Sequence, residues 1–228
     1  MKLIQPDWPA PANIHAYTTT RSVWGENDTN TTDERARLVS LLHLPSDPIW
    51  LKQTHSTIAL PAVHTNLNQE ADASYTHEQG TVCLVLTADC LPVLICNREG
   101  TQVAAIHAGW RGLAAGVIEN TIAAMQTDPT NLLVWLGPAI GPQKFEVGKD
   151  VYDAFTHHDP AASSCFVPGQ PEKWMANLYQ LSVQRLNKVG VAQIYGGNYC
   201  TFTQNDLFFS WRRDKSKTAR LASLIWMS

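Results

Sequence analysis

The hydrophobic positions of this chain follow two periods. Between 33 and 44, 113 and 126, 148 and 157, and 172 and 189, apolar residues recur at three- and four-residue intervals, the spacing of one helix face. Apolar or alternating runs at 14–20, 48–53, 81–88, 91–96, 101–107, 131–136, 191–195, 206–211 and 221–227 read as strands. Both periods occur throughout, so the chain is mixed in class. Successive strands with no helix between them, as at 91–96 and 101–107, argue against a purely parallel doubly wound sheet. No internal repeat or linker interrupts the pattern, because the Pro and Ser residues between 160 and 171 span only a loop's length. Residues 1–228 are therefore expected to form a single domain.

The most informative stretch runs from Thr81 to Gly112. Thr81 to Ala88 is almost continuously apolar, as a strand covered on both faces would be, and it delivers the polar pair Asp89 and Cys90 just before Pro92. The run Leu91 to Cys96, the turn-rich connection Asn97-Arg98-Glu99-Gly100 and the run Thr101 to His107 form a hairpin signature. If Cys96 faces Thr101, the same register sets Cys90 directly opposite His107. Opposed residues have Cβ atoms roughly 4.5 to 5.5 Å apart, from which a thiolate and an imidazole can reach one metal ion. A one-residue slip would turn one partner to the other face of the sheet.

Taken singly, Cys90 is well explained as a small core residue and His107 as a satisfied strand-end histidine. Together with Asp89, and with Arg111 in the loop Gly109-Trp110-Arg111-Gly112, they form a convergent polar group of the kind that carries chemistry. That loop leads into the helix expected at 113–126, whose N-terminus favours an anion, and Arg111 strengthens the preference. The segment Gly137 to Pro142 reads equally as a pocket wall or a rigid turn. A catalytic zinc takes three protein ligands and leaves a fourth position open. Among the remaining histidines, His55 ends the strand-like segment Trp50 to Thr54, whereas His15, His43, His64, His77, His157 and His158 sit in helices or polar loops. The residues alone leave that third ligand a conjecture.

Composition narrows the partners. With 44% hydrophobic and 16% charged residues, 228 residues suffice for one sizeable core. A formal net charge of -3 gives no broad positive field, so neither nucleic acid nor an anionic membrane surface is expected as a partner. No apolar run reaches membrane-spanning length, and Met1-Lys2-Leu3-Ile4 meets Pro6 without the apolar core of a secretory signal. Five cysteines, an odd count, suggest reduced thiols and a cytoplasmic protein. The eight tryptophans are scattered, as core or pocket-wall residues are. One dense basic run, Arg212, Arg213, Lys215, Lys217 and Arg220, reads first as a solvated turn and second as a site for a phosphorylated ligand.

The segments VLTADCLPVLIC (85–96) and VAAIHAGWRGL (103–113) resemble the peptidoglycan editing factor family, also called laccase-domain or polyphenol oxidase proteins and including purine nucleoside phosphorylases of that type. Gln53-Thr54-His55, Ala71-Asp72-Ala73, LGPAIGP (136–142), Phe145-Glu146-Val147 and FFSWRRD (208–214) with Arg220 extend the resemblance over nearly the whole chain. It implies an α+β fold, with mixed β-sheets packed between helices as an α/β/β/α-like sandwich. It also implies that His55, Cys90 and His107 bind zinc, with copper as the alternative metal. One departure stands out. Where the family has a Gly-rich stretch after Thr20-Arg21, this chain runs through Ser22-Val23-Trp24-Gly25 straight towards its first helix, so that loop reads as shortened.

The resemblance implies small-molecule substrates: a nucleoside with phosphate, or a peptidoglycan precursor. Phosphorolysis of adenosine, inosine or methylthioadenosine needs a held phosphate, for which Arg111, Arg21 and the helix N-terminus are candidate donors, with Asp72 as a further substrate-binding candidate. Adenosine deamination fits an open zinc site, and Asp89 or Asp72 could move protons. A thiol or zinc amidase removing misplaced L-Ser from a UDP-MurNAc precursor would use Cys90 beside His107. Multicopper polyphenol oxidation is disfavoured, since the eight histidines include no His-x-His pair. A non-catalytic metal-binding module is also disfavoured, because an open three-ligand site differs from the closed sites that merely hold folds together.

Overall fold

The computed structural model describes residues 2–24, 31–215 and 218–228. Gly25 of the shortened segment and Lys217 of the basic run lie outside the described residues. In chain order the strands are β1 (Leu3–Ile4), β2 (Ile14–Thr19), β3 (Ala59–Pro61), β4 (Ala73–Thr76), β5 (Cys83–Thr87), β6 (Leu91–Asn97), β7 (Val103–Ala108), β8 (Leu132–Leu136), β9 (Glu146–Gly148), β10 (Phe166–Pro168), β11 (Lys173–Ala176), β12 (Gln193–Gly196) and β13 (Leu221–Met227). The helices are α1 (Arg21–Trp24), α2 (Thr32–Leu42), α3 (Trp110–Ala115), α4 (Val117–Met125), α5 (Lys149–Thr156), α6 (Leu178–Lys188) and α7 (Trp211–Asp214).

The strands form a six-stranded sheet in the order β12-β8-β6-β7-β4-β3, a four-stranded sheet β1-β2-β13-β5, and a small sheet β10-β11-β9. The six-stranded sheet is mixed, with β12–β8 and β3–β4 parallel and the other pairs antiparallel. The four-stranded sheet is antiparallel throughout. Strand β6 is buried along its whole length, and its two faces serve two cores. Leu91, Val93 and Ile95 pack with Leu113, Val117, Ile118 and Leu181 of the helices, while Leu94 and Cys96 pack with Leu84, Leu224 and Leu38 on the side of the four-stranded sheet and α2. The result is the expected α+β sandwich, helices outside and two sheets within.

Several sequence expectations are corrected. The helix expected over 113–126 begins at Trp110 and breaks at Gly116, whose φ of +104° closes α3 and opens α4. The helix expected over 172–189 begins only at Leu178, where Asn177 caps it by accepting from the Gln180 N–H; 173–176 is β11 instead. The run 48–53 makes only isolated bridges, Ile49 with Cys83 and Lys52 with Glu70. The run 206–211 is turn and coil leading into α7.

The hairpin also differs in register. Its four-residue connection is Arg98 to Thr101, because the Asn97 side chain accepts from the Thr101 and Gln102 N–H groups and Asn97 pairs with Gln102. His107 therefore faces Pro92, not Cys90. A two-residue shift preserves the face, so Cys90 and His107 remain on the same side.

Leu94 is fully buried between the sheets. Leu94→Ala is expected to cost about 2–5 kcal/mol of unfolding free energy, read from urea denaturation. A loss below that range would mean that the sheet interface collapses into the space.

Candidate metal centre and its cavity

The site forms where the chain changes sheets. Strand β5 belongs to the four-stranded sheet and β6 to the six-stranded one, and Ala88-Asp89-Cys90 makes the crossing with Asp89 at φ +83°. This turn explains why polar residues follow an apolar strand. Cys90 sits half-buried at the end of the crossing, and His107 lies near the end of β7, 4% exposed. His55 approaches from the loop before β3. Its Nε2 lies 3.7 Å from Cys90 Sγ, and its ring meets that of His107 edge-on at 4.8 Å between centroids. One ligand atom from each of the three residues lies within 4.8 Å of the others. The structure thus brings together the three side chains expected to converge.

Asp72 organizes them. The β4–β7 register runs through Ala73 and Ile106, so Asp72 comes opposite His107, whose backbone N–H donates to the Asp72 carbonyl at 2.7 Å. The Asp72 carboxylate bonds His107 Nδ1 at 2.7 Å and accepts the N–H groups of Thr54, His55 and Ser56 at 3.2, 3.0 and 2.6 Å, and the Ser56 hydroxyl at 2.7 Å. His55 has φ +62°. That left-handed conformation turns three successive N–H groups onto one anion, a backbone nest. With Nδ1 held by Asp72, His107 Nε2 is free to face a metal, the usual outer-shell arrangement for a ligating histidine.

The electrostatics agree. Burial raises the Asp72 pKa, but the hydrogen bonds from His107 and Ser56 outweigh it and hold the carboxyl at about 2. Burial likewise opposes a Cys90 thiolate, yet the neighbouring His107 and His55 bring its pKa down. Burial disfavours charge on His107, and the Cys90 sulfur and Asp72 raise its pKa in return. A side chain at Gly109 would begin 2.5 Å from His55 Cδ2 and 3.2 Å from Cys90 Sγ, so only glycine leaves the group room. Two imidazoles and a thiolate, closely spaced with one face towards a cavity, fit a borderline divalent ion such as zinc.

The group opens onto a cavity of about 740 Å³, whose wall includes Gln53, Asp89, Trp110, Arg111, Trp211, Arg212 and Arg220. Arg111 stands at the wall with its guanidinium 4.2 Å from the centre of the Trp110 ring. Asp89 also lines the cavity, but both its oxygens are engaged, by Thr201 Oγ1 at 2.6 Å, Ser210 Oγ at 3.0 Å and the Arg212 N–H at 2.6 Å. Two residues expected at the substrate lie elsewhere. Asp72 is fully buried beneath the histidines. Arg21 lies off the cavity wall, its guanidinium over Phe209 and donating to the Asn205 carbonyl at 3.3 Å.

Arg212 and Arg220, in a run that the sequence reads first as a solvated turn and second as a site for a phosphorylated ligand, both line the cavity; the available signal was the family resemblance of FFSWRRD, which holds Arg212, together with Arg220. Arg213 of the same run is structural, bonded to Asp214 and to the carbonyls of Thr201, Phe202 and Phe208. Gln53 bonds the Leu86 N–H and carbonyl at 2.7 and 2.8 Å, extending the edge of β5 as a strand partner would.

The signature of the family described as "Multi-copper polyphenol oxidoreductase laccase" matches residues 15–228. The chain belongs to this laccase family. It is 48% identical to the Escherichia coli protein named purine nucleoside phosphorylase YfiH, over 99% of each chain, and 46% identical to a purine nucleoside phosphorylase of Haemophilus influenzae at the same coverage. The first alignment spans 242 positions against the 228 residues of this chain, so this laccase-family member lacks residues that its relative has. The crystal structure of Neisseria meningitidis protein NMB0706 superposes with a TM-score of 0.92 at 42% identity, covering both chains completely. That of YlmD from Geobacillus stearothermophilus gives 0.89 at 25% identity, covering 100% of this chain and 96% of the other. Among the described residues, no helix is long and apolar enough to cross a membrane.

Asp72→Asn is expected to weaken Zn²⁺ binding about 10- to 100-fold, measured by competition with a chromophoric chelator. Unchanged affinity would show that the histidines are held by other means. Gly109→Ala should displace His55 and lower Zn²⁺ affinity while leaving the melting temperature nearly unchanged. A large melting shift with full affinity would contradict the crowding argument.

Proposed function

We propose that this laccase-family chain is a metal-dependent enzyme of purine nucleosides, one that splits base from sugar with phosphate and deaminates adenosine at the same centre. The observation that carries the reading is the convergence of His55, Cys90 and His107 on a cavity whose wall also presents Arg111 and Arg212. Neither guanidinium pairs with a carboxylate among the described residues, while the one acid on the wall, Asp89, is already saturated by three donors. A cavity charged in this way favours an anion, and phosphate is the anion that phosphorolysis needs. The names of the closely similar relatives point to the same substrates.

In phosphorolysis a phosphate oxygen forms the bond to C1′ of the ribose as the bond from C1′ to the base breaks. Arg111 and Arg212 would hold the phosphate and offset its charge, and the apolar wall around Ile140, Phe145 and Leu178 would exclude water from the reacting face. His55, Cys90 and His107 would hold a divalent cation, which would supply Lewis acidity when bound. The donor set suits zinc best, with copper as the alternative metal. Only one three-ligand group exists among the described residues, which weighs against multicopper oxidation. The five free cysteines suit a reducing compartment, the cytoplasm. Cavity residues run from Leu51 to Arg220, so we treat residues 1–228 as one functional unit.

A second reading, an amidase releasing misplaced L-Ser from a UDP-MurNAc precursor, is favoured by the placement of Cys90 within 3.7 Å of an imidazole nitrogen. Metal content separates the two, since a metal-held thiolate is a poor nucleophile.

The test is elemental analysis of the purified protein, followed by incubation with adenosine with and without orthophosphate and chromatography of the products. Adenine formed only with phosphate, inosine formed without it, and near one zinc per chain are expected. Cys90→Ala should lose the metal and cut both activities by more than the roughly 100-fold that loss of an outer-shell partner costs. A metal-free protein that releases serine and ignores adenosine would overturn the proposal in favour of the amidase.

A further inference from the structure

Several large apolar side chains stay exposed among the described residues, including Ile58, Val63, Leu67 and Val167, but of these exposed residues only Trp211, at 49%, belongs to the cavity wall. An indole left half in water at the mouth of a cavity is uncompensated apolar area, and it is held there firmly. Trp211 opens α7, a single turn that could not persist alone. Ser210 caps the turn by accepting the Arg213 N–H at 3.2 Å and donates its own proton to Asp89 Oδ2. The Arg212 N–H, one residue beyond the tryptophan, reaches the same Asp89 oxygen at 2.6 Å. Arg213 then ties the turn to the 201–208 segment through the Thr201, Phe202 and Phe208 carbonyls, and Thr201 Oγ1 closes the loop on Asp89 Oδ1. Trp211 is therefore fastened from both sides of the chain, and its ring carries the Arg220 guanidinium at 5.5 Å.

We infer that Trp211 is the platform on which the planar base of the substrate stacks, and that Asp89 is the positioning residue that holds it at a fixed distance from the metal centre. This rests on the purine nucleoside reading above. An indole offers broad dispersive contact to a flat heterocycle whatever its hydrogen-bonding edge, which suits an enzyme that accepts more than one purine. Arg220 lies over the ring at 5.5 Å, and the accessible part of this cavity-wall indole would take the ligand. Asp89 and Cys90 are adjacent, so one peptide bond links the anchor of the platform to a ligand of the metal. That geometry assigns Asp89 a task other than proton transfer: its oxygens are spent on Thr201, Ser210 and Arg212.

The test is adenosine binding by calorimetry together with steady-state kinetics, with zinc content and melting temperature recorded for every variant. Trp211→Ala should raise the Kd and KM for adenosine about 5- to 150-fold, the equivalent of one stacked base, with a far smaller effect on kcat. Trp211→Phe should recover most of the loss. Ser210→Ala, which loosens the Asp89 clasp without removing a cavity side chain, should raise KM in the same direction at full zinc content, and should add little when combined with Trp211→Ala. If Trp211→Ala lowers the melting temperature and leaves adenosine affinity unchanged, Trp211 is only a structural cover and the inference falls alone. If the wild-type protein binds no purine nucleoside, the functional reading falls and takes the inference with it.

Discussion

One buried carboxylate holds the centre of this protein together. Asp72 has no exposed surface, and a carboxylate in that position would be prohibitively costly if it were unpaired. It is instead surrounded by five donors, and those donors belong to both histidines of the site and to the residues that flank His55. Removing the carboxylate would leave three backbone N–H groups without an acceptor and His107 without an orienting partner. The loop bearing His55 has no strand or helix of its own at that point. Its conformation, including the left-handed φ of His55, is imposed by the anion beneath it. A ligand from an irregular loop can thus be placed as firmly as one from a strand.

The second constraint is topological. Because β5 and β6 lie in different sheets, the three residues between them must carry the chain across the sandwich, and a tight reversal there needs a residue at positive φ. Asp89 takes that conformation, and its side chain repays the strain by accepting three hydrogen bonds from a segment more than one hundred residues later. The same turn aims Cys90 at the histidines. Sheet crossing, metal ligand and loop anchor are consequently one structural event, which explains why a chemically varied group of side chains sits at the end of an otherwise apolar strand.

How much of this the sequence discloses depends on whether a feature is periodic. Strands β5 to β8 and helices α2, α5 and α6 are legible because their apolar spacing is set by burial on known faces, although α6 starts later than periodicity suggested. The convergence of Cys90 and His107 survives a wrong register because the error was two residues, and side chains in a strand repeat every two. Asn97, whose side chain bonds two N–H groups beyond the turn, moved the connection by one residue at each end, a local effect that periodicity does not encode. The runs at 48–53 and 206–211 are apolar for a different reason, since Ile49, Trp50, Phe208 and Phe209 fill the second core from loops. Asp72 was visible as a polar residue in a family motif, but its burial under the site depends on the β4–β7 pairing, and β4 had no recognizable pattern.

Charge placement gives the cavity its character. The chain as a whole is slightly acidic, with a net charge of -3, yet the wall beside the centre carries Arg111, Arg212 and Arg220 against Asp89, whose charge is already committed to neighbouring donors. Lys52 is also on the wall but spends its charge on Glu70 at 2.7 Å. Local potential therefore departs in sign from the overall balance, and in a recess partly shielded from water such a departure is felt strongly by a ligand. A basic run that sequence alone assigns to a solvated turn divides its labour in the fold: Arg213 builds the loop, while Arg212 and Arg220 face the space that the loop encloses. Adjacent arginines of one helical turn thus take different tasks, Arg213 bonded into the loop and Arg212 on the cavity wall, a distinction that only the folded chain makes.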